Sequence, residues 1–226
     1  MSYKWEEFNI KTFPAETLVY RDGVFCPDLS TLDAGPIDNN YDLPIHIIYV
    51  GKIAGENRLD ININVQNQPV FLSVRIENDF PAFLNIFVKN AGKNSELRGH
   101  VMVKNDSDLD LNITAHHTAP DTGILIKTKL IAGKNSKSIL SGVAKIDKKA
   151  GKCRSDIGFS ALAEKSAKIT FRPAQFISAV PASAEHGAAI YHPTAPQIEY
   201  LRRAGLSGVE VADTLREAFM NDFPLF

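Results

Sequence analysis

The chain has 226 residues, of which 44% are apolar and 23% charged, and its formal net charge is −1. This composition is ordinary for a soluble globular protein, and it argues against a general binder of nucleic acid or of anionic membranes, which would carry a basic excess. No apolar run approaches the ~20 residues of a membrane-spanning helix, and no secretory signal is visible. Cys26 and Cys153 form no Cys-x-x-Cys pair, so we expect reduced thiols in a cytoplasmic protein.

The first 58 residues have the least regular pattern. Thr17–Cys26 and Pro44–Val50 are candidate strands, separated by a turn-rich stretch. We expect residues 1–58 to be strands and loops that cap the domain that follows.

Residues 59–180 alternate apolar and polar side chains with a period of two, which is the period of β-strands. The run from Leu59 to Val65 begins the pattern, and further short runs follow it between turn clusters rich in Asn, Asp, Gly and Lys. The pentapeptide AGKNS occurs at 91–95 and again at 132–136. Regular short strands with an internal repeat are typical of a sandwich, a barrel or a β-solenoid, and the scarcity of two-residue hairpin signals favours the solenoid.

The pattern changes at residue 181, where a stretch of small residues predicts a linker. Pro196 suits the first turn of a helix that ends at Gly205, and Ser207 and Glu210 have the capping-box spacing at the start of a second helix. We therefore expect residues 181–226 to form a linker and a C-terminal helical hairpin.

Four of the histidines have ordinary structural interpretations. His46 lies in an apolar strand and is expected in the core. His116 and His117 are neighbours on a strand, so they point to opposite faces, one inward and one towards solvent. His192 precedes a proline in a loop and is expected at the surface.

His186 has different neighbours, because Glu185 precedes it and small residues surround it. Imidazole and carboxylate groups both bind iron or zinc, and glycine and alanine neighbours leave room for a bulky ligand. A lone Glu–His pair supplies too few ligands to hold a metal by itself. An ordinary polar turn is the alternative interpretation of this segment.

Several segments carry a family resemblance through their order and spacing. They include HHTAPDTG at 116–123, the run at 132–152, EHGA at 185–188 and EYLRRAGLS at 199–207. Together with the intervals from Pro173 to His186 and from His186 to Tyr200, they resemble the SufB/SufD family, the scaffold subunits of an iron–sulphur cluster assembly machine. The similarity covers roughly residues 95–223.

The resemblance implies a mainly β chain, a right-handed parallel β-helix (solenoid) core over 59–180 with a C-terminal helical hairpin. It implies that the hairpin docks an ABC-type ATPase, SufC, and Tyr200, Leu201 and Arg202 are the contact candidates. In the family, paired scaffold subunits associate through their β-helices, and ATP-driven dimerisation of the ATPase rearranges that interface. We therefore expect a SufB-like scaffold or a second copy of this chain as the other partner, and neither nucleic acid nor membrane.

The same resemblance implies an assembly subunit and not an enzyme. His186, with Glu185 secondary, matches the family's acid–histidine pair and is the candidate to contact iron or a nascent cluster. We expect no cofactor to be bound stably by the isolated chain, and a transient iron ion or iron–sulphur cluster in the complex.

Three departures from the family pattern refine this interpretation. Ala184 stands where many members carry a cysteine, and no cysteine lies close to Ala167, where SufB-type scaffolds carry another. The N-terminal helical region of the family is replaced by strand-like sequence. Because iron–sulphur sites are built mainly from thiolates, the chain is more similar to a SufD-type or reduced SufBD-like subunit than to a self-sufficient scaffold.

Two other functions remain open from the sequence. A β-helical carbohydrate-active enzyme would need carboxylates on adjacent coils, for which Asp106, Asp108 and Asp110 are candidates, although their alternation along one strand more simply gives a solvated face. A structural oligomer that no longer takes part in cluster assembly is the other alternative.

Overall fold

The computed structural model describes residues 16–30, 44–53, 57–66 and 68–221. Within these ranges the chain is mainly β and forms a parallel β-solenoid of about six turns, followed by two helices. This confirms the fold class expected from the period-two pattern and from the resemblance.

The secondary-structure elements follow one another with short connections. The strands are β1 (Glu16–Arg21), β2 (Val24–Phe25), β3 (Ile45–Lys52), β4 (Arg58–Val65), β5 (Val70–Asn78), β6 (Ala82–Asn90), β7 (Glu96–Asn105), β8 (Asp108–His117), β9 (Gly123–Ala132), β10 (Lys137–Ile146), β11 (Cys153–Ala163), β12 (Lys168–Ile177) and β13 (Ala182–Tyr191). The helices are α1 (Ala195–Arg203) and α2 (Gly208–Asn221). Neither of these two helices is long and apolar enough to cross a membrane.

Two facing sheets form the walls of the solenoid. The odd-numbered strands and β2 make an eight-stranded sheet in the order β13-β11-β9-β7-β5-β3-β1-β2, and the even-numbered strands from β4 make a five-stranded sheet in the order β12-β10-β8-β6-β4. The strands pair in parallel, and β1 with β2 is the antiparallel exception within the described ranges. Each complete coil therefore adds one strand to each sheet, and the coils stack as in other solenoid proteins.

The core lies between the two sheets and is filled by every second residue of each strand. In β8, Leu109, Leu111, Ile113 and Ala115 are buried, whereas the residues between them face outward and are partly exposed. In a parallel ladder the residues at one register position stack from coil to coil, so the alternation in the sequence becomes continuous apolar columns inside the solenoid.

The repeated pentapeptide AGKNS builds two of the corners between the sheets. Asn94 and Asn135 have φ values of 58° and 65°, the left-handed region that asparagine tolerates better than most residues. In both copies the serine hydroxyl donates a hydrogen bond to the glycine carbonyl three residues before it, at 2.6 Å and 2.7 Å. The sequence repeat is therefore a repeated turn.

The structure differs from the sequence expectation at the C-terminal end of the solenoid. The segment Ala182–Tyr191, expected in the linker, is strand β13 and pairs along its length with β11. Alanine, serine and glycine have little intrinsic preference for strands, so their run resembles a linker, and the ladder with β11 imposes the extended conformation.

At the N-terminal end, β1 and β3 belong to the eight-stranded sheet and extend the solenoid. The described part of residues 1–58 therefore continues the coil, where we expected a cap. Residues 1–15, 31–43 and 54–56, which also belong to that expected cap, lie outside the described residues.

The histidine expectations are confirmed with one exception. His117 is fully buried, His116 faces outward on the same strand, and His192 is exposed after β13. His46, expected in the core, lies on the outer face of β3, where its Nε2 is 2.9 Å from Ser73 Oγ. Strand β3 has buried residues on both faces, so the apolar run around His46 did not indicate which side the imidazole takes.

Candidate functional site at the open end of the solenoid

Strands β12 and β13 each end a sheet, because β12 pairs with β10 alone and β13 with β11 alone among the described strands. Their core-facing side chains are partly or fully exposed. Ile177 is 43% exposed, whereas Ile146, its register partner one coil earlier, is fully buried. Ile190 is 44% exposed beside fully buried Ala161. The C-terminal end of the solenoid is therefore a surface on which another coil would fit.

His186 points inward from β13 at this open end. It is the register partner of Ile157 on β11, and it faces Gly142 on the opposite sheet. A Cβ placed on Gly142 would lie 3.3 Å from His186 Cδ2 and 3.0 Å from Phe159 Cε2. The absence of a side chain at Gly142 therefore makes the space that the imidazole ring occupies.

Gln175 fixes the tautomer of His186. Its Nε2 lies 2.9 Å from His186 Nδ1 and donates to Ala184 O at 3.0 Å, so the two amide protons point to these two acceptors. His186 Nδ1 consequently accepts and Nε2 carries the ring proton. That Nε2 is buried and has no hydrogen-bond partner within the described ranges. Burial lowers the pKa of His186, while Asp156 opposes the change, so the ring is neutral at neutral pH.

Glu185 lies on the other face of the same strand. It is exposed and sits in register with Asp156 on β11, and both Asp156 carboxylate oxygens accept from Lys127 Nζ at 2.7 Å. Because successive side chains of a strand point to opposite faces, the structure does not bring Glu185 and His186 together. Within this chain the two residues cannot share one ion.

The described part of the chain offers His186 no further ligands. No group of three or more His, Cys, Asp or Glu residues there could hold a metal ion. Cys153 is buried at a corner, where its Sγ is 3.1 Å from Thr122 Oγ1, and Cys26 lies near β2 at the opposite end of the solenoid. The candidate site thus supplies one neutral imidazole and no thiolate.

The helical hairpin is anchored on the outer face of the eight-stranded sheet. Lys129 Nζ donates to Phe219 O at 2.6 Å and lies 5.1 Å from the centre of the Phe219 ring. Tyr191, the last residue of β13, packs its ring 5.8 Å from that of Phe219, and Arg216 pairs with Glu164. These contacts fall beside the open end and do not cover it.

The rest of the hairpin exposes apolar side chains. Ser207 and Glu210 form the expected capping box, with Ser207 N–H donating to Glu210 Oε2 at 2.8 Å, and this bond lowers the pKa of Glu210. Helix α1 buries none of its residues, and Tyr200 is 74% exposed. Of the other contact candidates, Arg202 is exposed and Leu201 is half-buried.

The sequence pattern does not indicate three residues of the site, which are Gly142, Asp156 and Gln175. Each contacts or neighbours His186 from another position in the chain. Of the three, Gln175 has the one feature that could have indicated a site, because it is a polar residue at an inward position of a strand. That its position is inward is known only from the ladder with β10.

Comparison with protein families identifies the chain. The family model described as SUF system FeS cluster assembly, SufBD core domain, matches residues 82–219. The match begins at β6 and includes the last coils, His186 and most of the hairpin. A comparison with curated proteins finds no match. Since the family model covers more than half of the sequence, the chain belongs to the SufBD core domain family of the SUF system of iron–sulphur cluster assembly.

Proposed function

We propose that this protein is a non-enzymatic, SufD-like scaffold subunit of a SUF-type assembly complex. Family membership supports involvement in iron–sulphur cluster assembly. The observation that carries the finer proposal is the open end, where two strand edges and the apolar side chains of Phe176, Ile177 and Ile190 are exposed. Exposed strand edges are templates for pairing with another chain.

The first partner is a second scaffold chain that continues both sheets at β12 and β13. Such a partner would bury Ile177 and Ile190 as Ile146 and Ala161 are buried one coil earlier. It would also enclose His186, which lies on the inner side of β13.

The second partner is an ABC-type ATPase that docks on the hairpin. Helix α1 has no buried residue, and Tyr200 and Val209 are exposed, as expected for a helix pair that packs on another protein. Because α2 is anchored through Phe219 to Tyr191, the last residue of β13, a force on the hairpin would reach the strand that carries His186.

A pull-down with the cognate ATPase tests the docking. A chain ending at Ala195 should lose binding, and Tyr200→Glu should weaken it at least about tenfold while keeping the hairpin. Glu217→Ala, an exposed change on α2, is the matched control. Circular dichroism verifies that the truncated chain keeps its strand signal. Equal binding by the full and truncated chains would remove the docking from the proposal.

His186 is the residue that we propose contacts the cargo, an iron ion or a nascent cluster. One imidazole binds iron weakly, so the partner scaffold must supply the thiolates. For Nε2 to act as a ligand, the ring proton must move to Nδ1, and the amide of Gln175 must rotate so that its Oε1 accepts that proton. Loading would therefore break the bond between Gln175 and Ala184 O.

Cluster yield in the assembled complex tests the role of His186. The isolated protein should purify colourless, and His186→Ala should fold like the wild type. In the complex with ATPase and partner scaffold, the same variant should yield less iron and sulphide. Glu185→Ala, on the opposite face of the strand, should lower the yield less. An unchanged yield with His186→Ala would remove its role as a ligand.

A further inference from the structure

The last coils of the solenoid carry a basic surface that the proposed function does not use. Residues 127–172 contain twelve of the 25 Lys and Arg residues and three of the 26 Asp and Glu residues. Although the net charge of the whole chain is −1, its basic residues are concentrated in this region. Ten of the twelve are exposed and form no ion pair with any described residue: Lys134, Lys137, Lys145, Lys148, Lys149, Lys152, Arg154, Lys165, Lys168 and Arg172.

Part of this surface borders the open edge of the five-stranded sheet. Lys137 on β10 and Lys168 on β12 are register partners, and the turns that hold Lys134 and Lys165 precede these two strands. Arg172 lies farther along β12, on the same outward face as Lys168. The remaining outward residues of β12 are Thr170, Ala174 and Phe176, so this face of the edge strand carries positive charge and no negative charge.

The unpaired edge of β12 can accept another strand. Lys168 N–H bonds to Ser136 O and Ser178 N–H bonds to Ile146 O, both on the β10 side. Because the direction of these groups alternates along a strand, the N–H groups of Ile169, Phe171, Gln175 and Ile177 point to the unpaired edge. Pro173 belongs to the same series, so its missing N–H removes no hydrogen bond from the ladder with β10.

The polar groups of this edge favour a polypeptide over a nucleic acid. An added strand satisfies the exposed N–H and C=O groups, places apolar residues beside Ile169 and Ile177, and places its own outward side chains beside Lys168 and Arg172. A nucleic acid would neutralise the lysines but could not continue the sheet.

A second copy of this chain fits the edge poorly. Two copies of β12 can pair antiparallel, with outward faces together, in two registers that overlap nine residues. In one register Arg172 lies directly opposite Arg172 of the second copy, and in the other it lies opposite Ala174 with the second guanidinium on the diagonal. Like charges disfavour the pairing in both registers, because directly opposite Cβ atoms are ~5 Å apart and diagonal neighbours are within ~7–8 Å of each other.

We propose that a strand of a different protein, with acidic outward-facing residues, continues the five-stranded sheet at β12. Lys168 and Arg172 select this strand and discriminate against a second copy of this chain. The proposal rests on the proposed pairing of scaffolds at the open end, and it names the chemistry of the partner there. On the outward face of β13 the charged residue is Glu185, which is acidic. The selection for an acidic partner strand therefore acts at β12 and not at β13.

Mixing the full-length wild type with its own charge-reversed variant tests the selection without the natural partner. In Lys168→Glu/Arg172→Glu the edge becomes acidic, and pairing with wild-type β12 brings the new carboxylate of the variant opposite or diagonal to Arg172 of the wild type. We expect a mixed dimer by analytical ultracentrifugation at low salt, about tenfold tighter than either protein alone and weakened by added salt. Hydrogen exchange should slow at Ile169, Phe171, Gln175 and Ile177 in the mixture. Lys89→Glu/Lys93→Glu, the same reversal of charge away from the edge, is the control and should form no mixed dimer.

Each outcome decides the proposal. A mixed dimer with protected β12 amides supports it. A wild-type dimer as tight as the mixture, with the same amides protected, overturns the selection while leaving scaffold pairing intact. Absence of a mixed dimer overturns the role of the two residues, whereas the proposed function fails separately, through the pull-down and the cluster yield. Capture of a DNA or RNA oligonucleotide at physiological salt, lost on reversal of Lys168 and Arg172, would also overturn it.

Discussion

Replacing Gly142 with alanine should destabilise the last coil and displace His186. The new Cβ would lie 3.0 Å from Phe159 Cε2, 3.2 Å from Ile157 Cγ2 and 3.3 Å from His186 Cδ2, all closer than ordinary van der Waals contact. Phe159 and Ile157 are buried in the core, so they can yield only by moving against their neighbours. His186, at the open end, has more room to shift.

Two opposing effects set the change in the free energy of unfolding caused by Gly142→Ala. Overpacking a core costs roughly 1–3 kcal/mol, and removing a glycine from a strand returns roughly 0.5–1 kcal/mol through the lower entropy of the unfolded chain. We therefore expect a net loss of about 1–2 kcal/mol in the free energy of unfolding. For a domain of this size, that loss lowers the melting temperature by about 2–8 °C.

Gly187→Ala is the matched control, because a Cβ at Gly187 would meet no atom within 4 Å. It makes the same chemical change next to His186 on β13, and it should leave stability unchanged or raise it by up to about 1 kcal/mol. Thermal and urea unfolding of the two variants, followed by circular dichroism at one pH, measures the difference. Equal stability of the two variants would refute the close packing of Gly142 against His186 and Phe159.

Two further predictions concern a buried histidine and the hairpin anchor. Burial, with a smaller contribution from His116, lowers the pKa of His117 to about 4, so the unfolded chain binds a proton below pH 6.5 that the native protein binds only near pH 4. His117 alone should therefore contribute a fall in stability of up to roughly 3 kcal/mol between pH 6.5 and pH 4. In thermal melts His117→Asn should lose less stability over that range than the wild type, and an equal loss would contradict the assignment. Lys129→Met should remove the hydrogen bond to Phe219 O and speed hydrogen exchange in the last turns of α2, with the solenoid unchanged and Lys134→Met as the exposed control. Exchange in α2 equal to that of the wild type would show that the lysine does not hold the helix.

Features that depend on the local order of residues can be predicted from the sequence. The alternation from Leu59 onward specifies strands because successive side chains must point to opposite faces, and the same rule correctly separates His116 from His117. The capping box at Ser207 and Glu210 is equally local and forms as expected. These features need no knowledge of which strand lies beside which.

The composition of the candidate site, in contrast, depends on which strands lie side by side. Strand β13 exists because a segment rich in alanine and other small residues pairs with β11. The resulting alternation places Glu185 outside and His186 inside, although they are neighbours in the chain. Gly142 and Gln175 reach His186 from the opposite sheet. No local pattern marks these contacts, because the free energy that fixes a strand's neighbours comes from the ladder and the packing of other coils.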